Sequence, residues 1–492
     1  MTETPPAQAS RNGGLALAVI CVAQLMVILD ATVVNVALPS IRDDLDFSLD
    51  NLTWVVTAYS LAFGGLLLFG GRTGDLFGRR RMFMIGIGLF AGASLVGGFA
   101  NSETMLIIAR AAQGAGGAIA APTALALLAT TFTEPGARSR AFGVFAAMGA
   151  SGGALGLLLG GVLTDYASWR WALFISAPIG ALVLFLTPRV LNESQGSGKK
   201  LDLPGALTVT AGMSTLVYGL TKASSDGWGS TTTVVTLAIA AALLVAFGLI
   251  EHFSTHPLMP FRIFSNRNRT GAYLIMLFLA AAMFTTFYFM AQFQQNVHGW
   301  SPFHTGLGFL PMPVTIMFMS IVVVRRLIPT LGIRPFLTAG PILAIAAMVA
   351  MSHLDASSSY WPFLGSLLLL GVGMGCSFVP LTMTAVNGVA PHETGLASAL
   401  LNTGQQVGGA IGLAAFGTVF AHASADRATE LGARAATAAG QADVFVTGQQ
   451  HAFQAAIVAA ALALIASIAL IRVNKVAPPA AAAPATAPVM AE

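Results

Sequence analysis

The chain has 492 residues, of which 55% are hydrophobic and 9% charged, and its formal net charge is +4. Soluble domains carry roughly a quarter charged residues, so a set of water-facing domains is excluded, and the small positive charge is no sign of nucleic acid. An integral membrane protein, mostly helical, is expected, because lipid satisfies no backbone hydrogen bonds.

Residues 1–13 are polar and rich in Pro, Ala and Thr. They lack the basic start and small-residue cleavage site of a secretory signal, so the first helix is expected to stay. Long apolar runs then recur with short polar breaks, each able to span a bilayer. The expected spans are 15–38, 52–71, 82–100, 105–131, 141–163, 169–188, 203–220, 232–251, 270–293, 303–324, 335–353, 361–383, 396–421 and 452–471. Fourteen helices with both termini cytoplasmic satisfy the charge rule. Arg72, Arg79–Arg81, Arg138, Arg140, Arg189, Lys199, Lys200, Arg262, Arg267, Arg269, Arg325, Arg326, Arg334, Arg472 and Lys475 then lie inside. Only Arg42, Arg170, Lys222, Arg427 and Arg434 lie outside, together with Asp43, Asp44, Asp46 and Asp50. Lys and Arg are retained on the cytoplasmic side during insertion. Residues 424–450 are expected as a long external loop, with a surface helix as one option. Cys21 and Cys376 sit in apolar runs, which points to neither a disulfide framework nor a metal site. Arginine far outnumbers lysine and alanine is abundant, a usage expected of a GC-rich bacterium.

Four segments of the first half carry chemistry. In Leu29-Asp30-Ala31-Thr32-Val33-Val34-Asn35, a carboxylate stands deep in an apolar helix. Such a group is costly and is a functional candidate, here one able to take and release a proton. The segment from Gly71 through Gly74, Asp75 and Gly78 to Arg79, Arg80 and Arg81 reads as a tight cytoplasmic hinge loop of about ten residues between helices two and three. In the fourth span, Arg110 is followed by Gln113 and Gly114. At 1.5 Å per residue, Asp30 and Arg110 both lie roughly 8–12 Å below the external surface, so the two can meet. In the fifth span, Gly152, Gly156, Gly160 and Gly161 place small residues on one face, which permits close helix contact and rocking. Blander readings stand beside these: a structural acid at Asp30, a snorkelling Arg110, and ordinary glycine packing.

In the second half, the hinge has only an eroded echo around Arg325, Arg326, Gly332 and Arg334. Asn35, Gln113, Gln292, Gln295, Asn402, Gln405 and Gln406 are candidate cavity residues. Uncharged amides among Phe and Met suit a roomy site for lipophilic molecules, although helix–helix hydrogen bonds explain any single one as well.

These strings resemble the major facilitator superfamily, and within it the fourteen-helix drug:proton antiporters. Gly71-x-x-x-Asp75-x-x-Gly78-Arg79-Arg80 is similar to that family's loop between helices two and three. Leu29-Asp30-x-Thr32-Val33-Val34-Asn35-Val36-Ala37-Leu38-Pro39 resembles its first-helix motif, and Leu106-x-x-x-Arg110-x-x-Gln113-Gly114 its fourth-helix motif. The glycines of the fifth span resemble the antiporter motif, with Leu157 where the family has proline, so a less kinked helix is expected. The resemblance implies an all-α major facilitator fold of two six-helix halves plus two inserted helices. It divides the chain into a tail at 1–13, a first half at 14–190, a linker with two extra helices at 191–269, a second half at 270–475 and an Ala/Pro tail at 476–492. It also implies a proton-transfer role for Arg110.

The expected function is proton-coupled export of lipophilic, often cationic drugs or antibiotic-like metabolites across a bacterial cytoplasmic membrane. A dedicated exporter of one lipid, siderophore or secondary metabolite is the nearer alternative, and a non-transporting membrane sensor the farther one. No Gly-x-x-x-x-Gly-Lys-Ser/Thr phosphate loop and no zinc or hydrolase motif occurs, so an enzyme is not expected. The expected partners are a lipophilic small molecule, protons and the bilayer, with no nucleic acid. The proton gradient replaces any cofactor, and a monomer is expected.

Overall fold

The computed structural model describes residues 13–47, 52, 54–194, 202–255, 257–390 and 393–472. Asp50, Lys199, Lys200, Lys475 and both expected tails, apart from Gly13, lie outside the described residues. The described chain is helical and, among those residues, holds no strand. We number its long helices α1 (Gly13–Leu45), α2 (Trp54–Phe77), α3 (Arg79–Gly98), α4 (Glu103–Thr131), α5 (Pro135–Tyr166) and α6 (Arg170–Val190). Then follow α7 (Leu203–Asp226), α8 (Thr231–Phe253), α9 (Arg267–Asn296), α10 (Phe303–Val322), α11 (Arg334–Met351), α12 (Tyr360–Val386), α13 (Thr394–Leu431) and α14 (Ala438–Leu470). Thirteen of these are long and apolar enough to cross a membrane. The 32-residue α5 occupies the place of the fifth expected span.

Local chemistry sets many helix starts. Ser102, Asp202, Ser230, Asn266, Ser301 and Thr437 each accept a hydrogen bond from a first-turn amide. Such caps satisfy donors that the helix itself leaves unpaired.

Packing repeats itself. The pairs α1–α5, α2–α4, α3–α4 and α3–α6 recur as α9–α13, α10–α12, α11–α12 and α11–α14. Glycines fix the register of both copies. Gly152, Gly156 and Gly160 of α5 lie against Ile28, Thr32 and Val36 of α1, while Gly404, Gly408 and Gly412 of α13 lie against Tyr273, Leu277 and Ala281 of α9. The second stripe has the same four-residue spacing, and the sequence reading missed it. The halves meet along α2–α13 and α5–α10, a reciprocal pair of contacts expected of two repeats related by a two-fold axis. Helix α7 packs on α2 and α13, and α8 packs on α7. Val235, Val245 and Leu249 are exposed on α8, the apolar outer face a lipid-bathed helix needs.

Two expectations about loops are corrected. Residues 71–77 are not a loop: α2 continues to Phe77, and only Gly78 (φ 99°) separates it from α3. Glycine supplies that positive φ without a Cβ penalty, and an Asp75–Arg79 pair spanning one helical turn bridges the bend. Residues 424–450 are not a long loop either. Helix α13 runs to Leu431 and α14 begins at Ala438. At 1.5 Å per residue α13 is about 57 Å long, well beyond a hydrocarbon core of about 30 Å. Arg427 clasps the projecting hairpin through Asp443 at 2.7 Å and Glu430 at 2.9 Å. The echo of the hinge is real in shape: Gly332 (φ 78°) turns the chain between a π-helical turn at Val323–Leu327 and α11. The position three residues before that glycine, Asp75 in the first half, is Pro329 in the second.

Candidate functional site

Asp30, two residues before Thr32 on α1, is fully buried against α4. Oδ2 of Asp30 lies 2.5 Å from Nη1 of Arg110, and Oδ1 accepts from Nε2 of Gln113 at 2.8 Å. Nη1 of Arg110 also donates to Oε1 of Gln113 at 2.9 Å, closing a three-residue ring. The rest of the guanidinium is held too. Its Nε donates to the Val55 carbonyl at 3.0 Å, and its plane lies 4.4 Å from the centre of the Tyr59 ring. Nε2 of Gln113 donates its second hydrogen to Ser94 Oγ at 2.6 Å, and Ser94 donates to the Phe90 carbonyl at 2.8 Å. A buried ion pair survives when its remaining donors and acceptors find partners, and the partners of this one are drawn from four helices.

The second half shows what this place looks like without the chemistry. Gly114 and Gly116 of α4 touch the Tyr59 and Gly86 carbonyls; Gly371 and Gly373 of α12 touch those of Met312 and Gly340. Carried through that register, Asp30, Tyr59, Ser94, Arg110 and Gln113 correspond to Ile275, Met312, Met348, Leu367 and Leu370. All five of these are fully buried apolar residues. The repeat therefore folds with a plain hydrophobic core at this position, and the ionised version in the first half is not required by packing.

The first-helix and fifth-helix motifs meet. A Cβ on Gly156 would stand 1.7 Å from Thr32 Oγ1, so the glycine is what lets α1 present Thr32 at this depth. Thr32 itself donates to the Leu29 carbonyl at 2.9 Å. Gly161 is in ordinary contact with Phe303 of α10. Helix α5 is uninterrupted through Leu157, as expected where proline is lacking.

At the Gly78 end the halves are latched. Asp75 is buried and accepts from the backbone amides of Gly395 and Leu396, both at 3.1 Å, at the first turn of α13. Arg79 pairs with the same carboxylate at 2.8 Å. Negative charge at a helix N-terminus meets unpaired amides and the positive end of the dipole. Gly71 makes the approach possible, since a Cβ there would stand 2.5 Å from that of Ala399. Arg80 reaches the Leu191 carbonyl, and Glu193 accepts from the amides of Arg80 and Arg81. The segment between α8 and α9 lies across this end. Glu251 accepts from the amides of Leu258 and Met259, Arg72 donates to the Pro257 carbonyl, and Arg262 pairs with Glu393.

The candidate cavity residues are not one cluster. Gln113 belongs to the ion-pair ring. Asn35 is exposed and donates to the Ala31 carbonyl. Gln292 accepts from Asn296, and Gln295 is exposed. Asn402, Gln405 and Gln406 are half-buried on α13. The α9–α13 register places Gln405 level with Leu274, so Gln292 lies about 27 Å farther along the bundle. Ser94, Tyr59 and Gly395 were missed by sequence reasoning. Their one available signal, a polar or small residue in an apolar run, is shared by dozens of other positions.

Two repeated helical halves in a membrane, latched at one end and carrying a buried ion pair at this position in one repeat only, mark a membrane transport protein. The family model of the Major Facilitator Superfamily matches residues 20–413, and the chain belongs to that superfamily. It is 44% identical over 414 residues to the puromycin resistance protein of Streptomyces alboniger, covering 83% of this chain and 82% of that protein. It is 40% identical over 421 residues to the cephamycin export protein of Amycolatopsis lactamdurans, covering 85% and 87%. The human organic anion transporter MFSD10 shares the fold, with a TM-score of 0.65 at 17% identity over 94% of this chain and all of that one.

Proposed function

We propose that the protein exports lipophilic, often cationic drugs or an antibiotic-like metabolite across the bacterial cytoplasmic membrane in exchange for protons, with no other cofactor. The observation that carries this reading is the buried Asp30–Arg110 pair, whose counterpart in the second half is apolar. The latched Gly78 end is the cytoplasmic side in the fourteen-helix topology, with both termini inside. Its closure leaves the route outward as the one through which cargo departs. A proton reaching Asp30 from outside weakens its hold on Arg110. Losing that proton inward restores the pair, and rocking of the halves exposes the cavity to cytoplasm or inner leaflet. Each proton moving inward gains about 2.3 kcal/mol per 100 mV, enough for roughly tenfold accumulation of cargo even at modest efficiency.

The test is reconstitution in liposomes with an imposed proton gradient, following ethidium and internal pH together. Dye efflux coupled to proton entry, abolished in Asp30→Asn, is expected. Undiminished uphill efflux by that variant would sink the mechanism. A narrower cargo is favoured by one finding: relatives at 40% identity and above are named for single antibiotics. Competition of ethidium efflux by puromycin and by unrelated lipophilic cations separates the two selectivities.

A further inference from the structure

We propose that Ser94 is a positioning residue: it locks the Gln113 amide so that a proton on Asp30 must displace Arg110. The inference rests on the proton-exchange reading above and adds the device that makes the exchange obligatory.

In the observed ring both carboxylate oxygens of Asp30 face donors, Arg110 Nη1 on one side and Gln113 Nε2 on the other. A protonated Asp30 brings a hydrogen of its own and needs an acceptor. The only acceptor in the ring is Gln113 Oε1, which faces Arg110. Turning the Gln113 amide over would offer that oxygen to Asp30 and absorb the proton, leaving Arg110 its bonds to Asp30 Oδ2 and the Val55 carbonyl and taking from it only Gln113 Oε1. Transport would gain nothing from such a proton. Ser94 opposes the turn. Its hydroxyl hydrogen is committed to the Phe90 carbonyl, so towards Gln113 it presents a lone pair, and at 2.6 Å it requires the nitrogen end of the amide. A turned amide would draw the Ser94 hydrogen off the Phe90 carbonyl and set its own nitrogen against Arg110 Nη1, in a site with no water-exposed surface.

Among the described residues no other titratable group relieves the conflict. The titratable groups facing Asp30 are Arg110 of α4 and Tyr59 of α2; the Tyr59 hydroxyl points away, towards the Val27 carbonyl at 3.4 Å. Helices α5 and α6 also pack on α1, yet α5 has no charged residue between Arg140 and Asp165, and α6 none between Arg170 and Arg189. Protonation therefore has one outlet, release of the guanidinium. Arg110 also holds the Val55 carbonyl and the Tyr59 face of α2, the helix that ends in the Asp75 latch. A displaced Arg110 thus acts on the latch helix directly.

The experiment uses the full chain in lipid nanodiscs with spin labels on Gly136→Cys and Arg334→Cys. Both sites are exposed, one in each half at the Gly78 end, and a side chain at Gly136 meets open space. Inter-label distances are followed from about pH 5 to about pH 8. The unmodified background is expected to shift its distance distribution with pH, and Asp30→Asn to abolish that response. Ser94→Ala should flatten the response about fivefold, the effect of one hydrogen bond, and Ser94→Thr should restore it by returning the hydroxyl. In liposomes, Ser94→Ala should lower the number of protons moved per ethidium, a ratio that a general loss of folded protein would leave unchanged. A Ser94→Ala response equal to that of the parent overturns the inference, as does a parent whose distances ignore pH. If distances follow Asp30 and Ser94 as described while dye and protons move independently, the lock stands and the proton-exchange reading fails.

Discussion

The carboxylate of Asp75 lies 3.1 Å from the backbone nitrogen of Gly395, 320 positions later in the chain, and this contact joins the two halves at one end. It is a helix cap supplied in trans. The acid sits on α2, the unpaired amides on α13, and glycines at 71 and 395 bring the backbones close enough for the exchange. A Cβ on Gly395 would stand 2.5 Å from the Gly71 carbonyl and 2.8 Å from the Asp75 oxygens.

Asp75→Asn should therefore loosen the latch. Hydrogen bonds to an ionised acceptor contribute about 1.5–3 kcal/mol each, and the amide can replace only part of this. Initial rates of ethidium efflux from liposomes are expected to fall about tenfold or more. Gly395→Ala should match it by wedging the helices apart. Parental rates in both variants would show that the latch does not govern transport.

At the ion pair, removing one partner leaves the other buried and uncompensated, at a cost of about 3–5 kcal/mol. Asp30→Asn and Arg110→Leu should each lower the thermal midpoint, and the double variant should be more stable than Arg110→Leu with Asp30 intact. The apolar core around Ile275 and Leu367 shows that this position packs without charges. Arg110→Lys should behave as a loss, since an ammonium cannot hold Asp30, Gln113 and the Val55 carbonyl at once. Melting curves of the parent and these four variants in detergent decide the matter.

The two glycine stripes predict a contrast. Gly156→Ala and Gly408→Ala both overpack, by about 1–3 kcal/mol or more. The added methyl meets a threonine side chain in the first case and the Leu277 carbonyl, at 2.0 Å, in the second. Thr32→Ala should then relieve Gly156→Ala in part, because the 1.7 Å clash is with the hydroxyl. No substitution at Leu277 should relieve Gly408→Ala, because side-chain changes leave a carbonyl in place. Yields of folded protein by size exclusion report both.

At the opposite end, Asp44 accepts from Arg170 and from the Trp169 indole. The Arg170 hydrogen bond, with help from Trp169, holds the Asp44 carboxyl below its ordinary value. The folded state therefore takes the proton at lower pH than the unfolded chain. Stability from this contact is complete above the ordinary carboxylate range and is lost as pH falls through the lowered value. Both side chains are partly exposed, so the effect is under about 1 kcal/mol. Asp44→Asn should lower the melting temperature slightly at neutral pH and converge with the parent only once the pH has fallen through the lowered Asp44 value. A constant difference across pH would assign the effect to packing.

Run length and composition alone determined that this chain is a membrane bundle and where most of its helices lie, and they singled out one acid and one arginine able to meet. Apolar length is a local property, and a charge in an apolar run is conspicuous because lipid offers it no partner. The depth of Asp30 and Arg110 was also legible, since helical rise converts sequence position into height. Only the tertiary structure decided the rest. Whether 71–77 is loop or helix depends on α13 supplying amides to Asp75. Whether Gln113 lines a cavity or closes the ion-pair ring depends on Ser94 of a neighbouring helix, and a serine in an apolar run carries no label. The second glycine stripe and the apolar counterpart of the ion pair became visible through register, because the repeat is preserved in backbone contacts while its side chains have diverged. Gln292 and Gln405 looked alike as residues and lie far apart as positions. Sequence names the chemistry a side chain can do; packing chooses the partner it does it with.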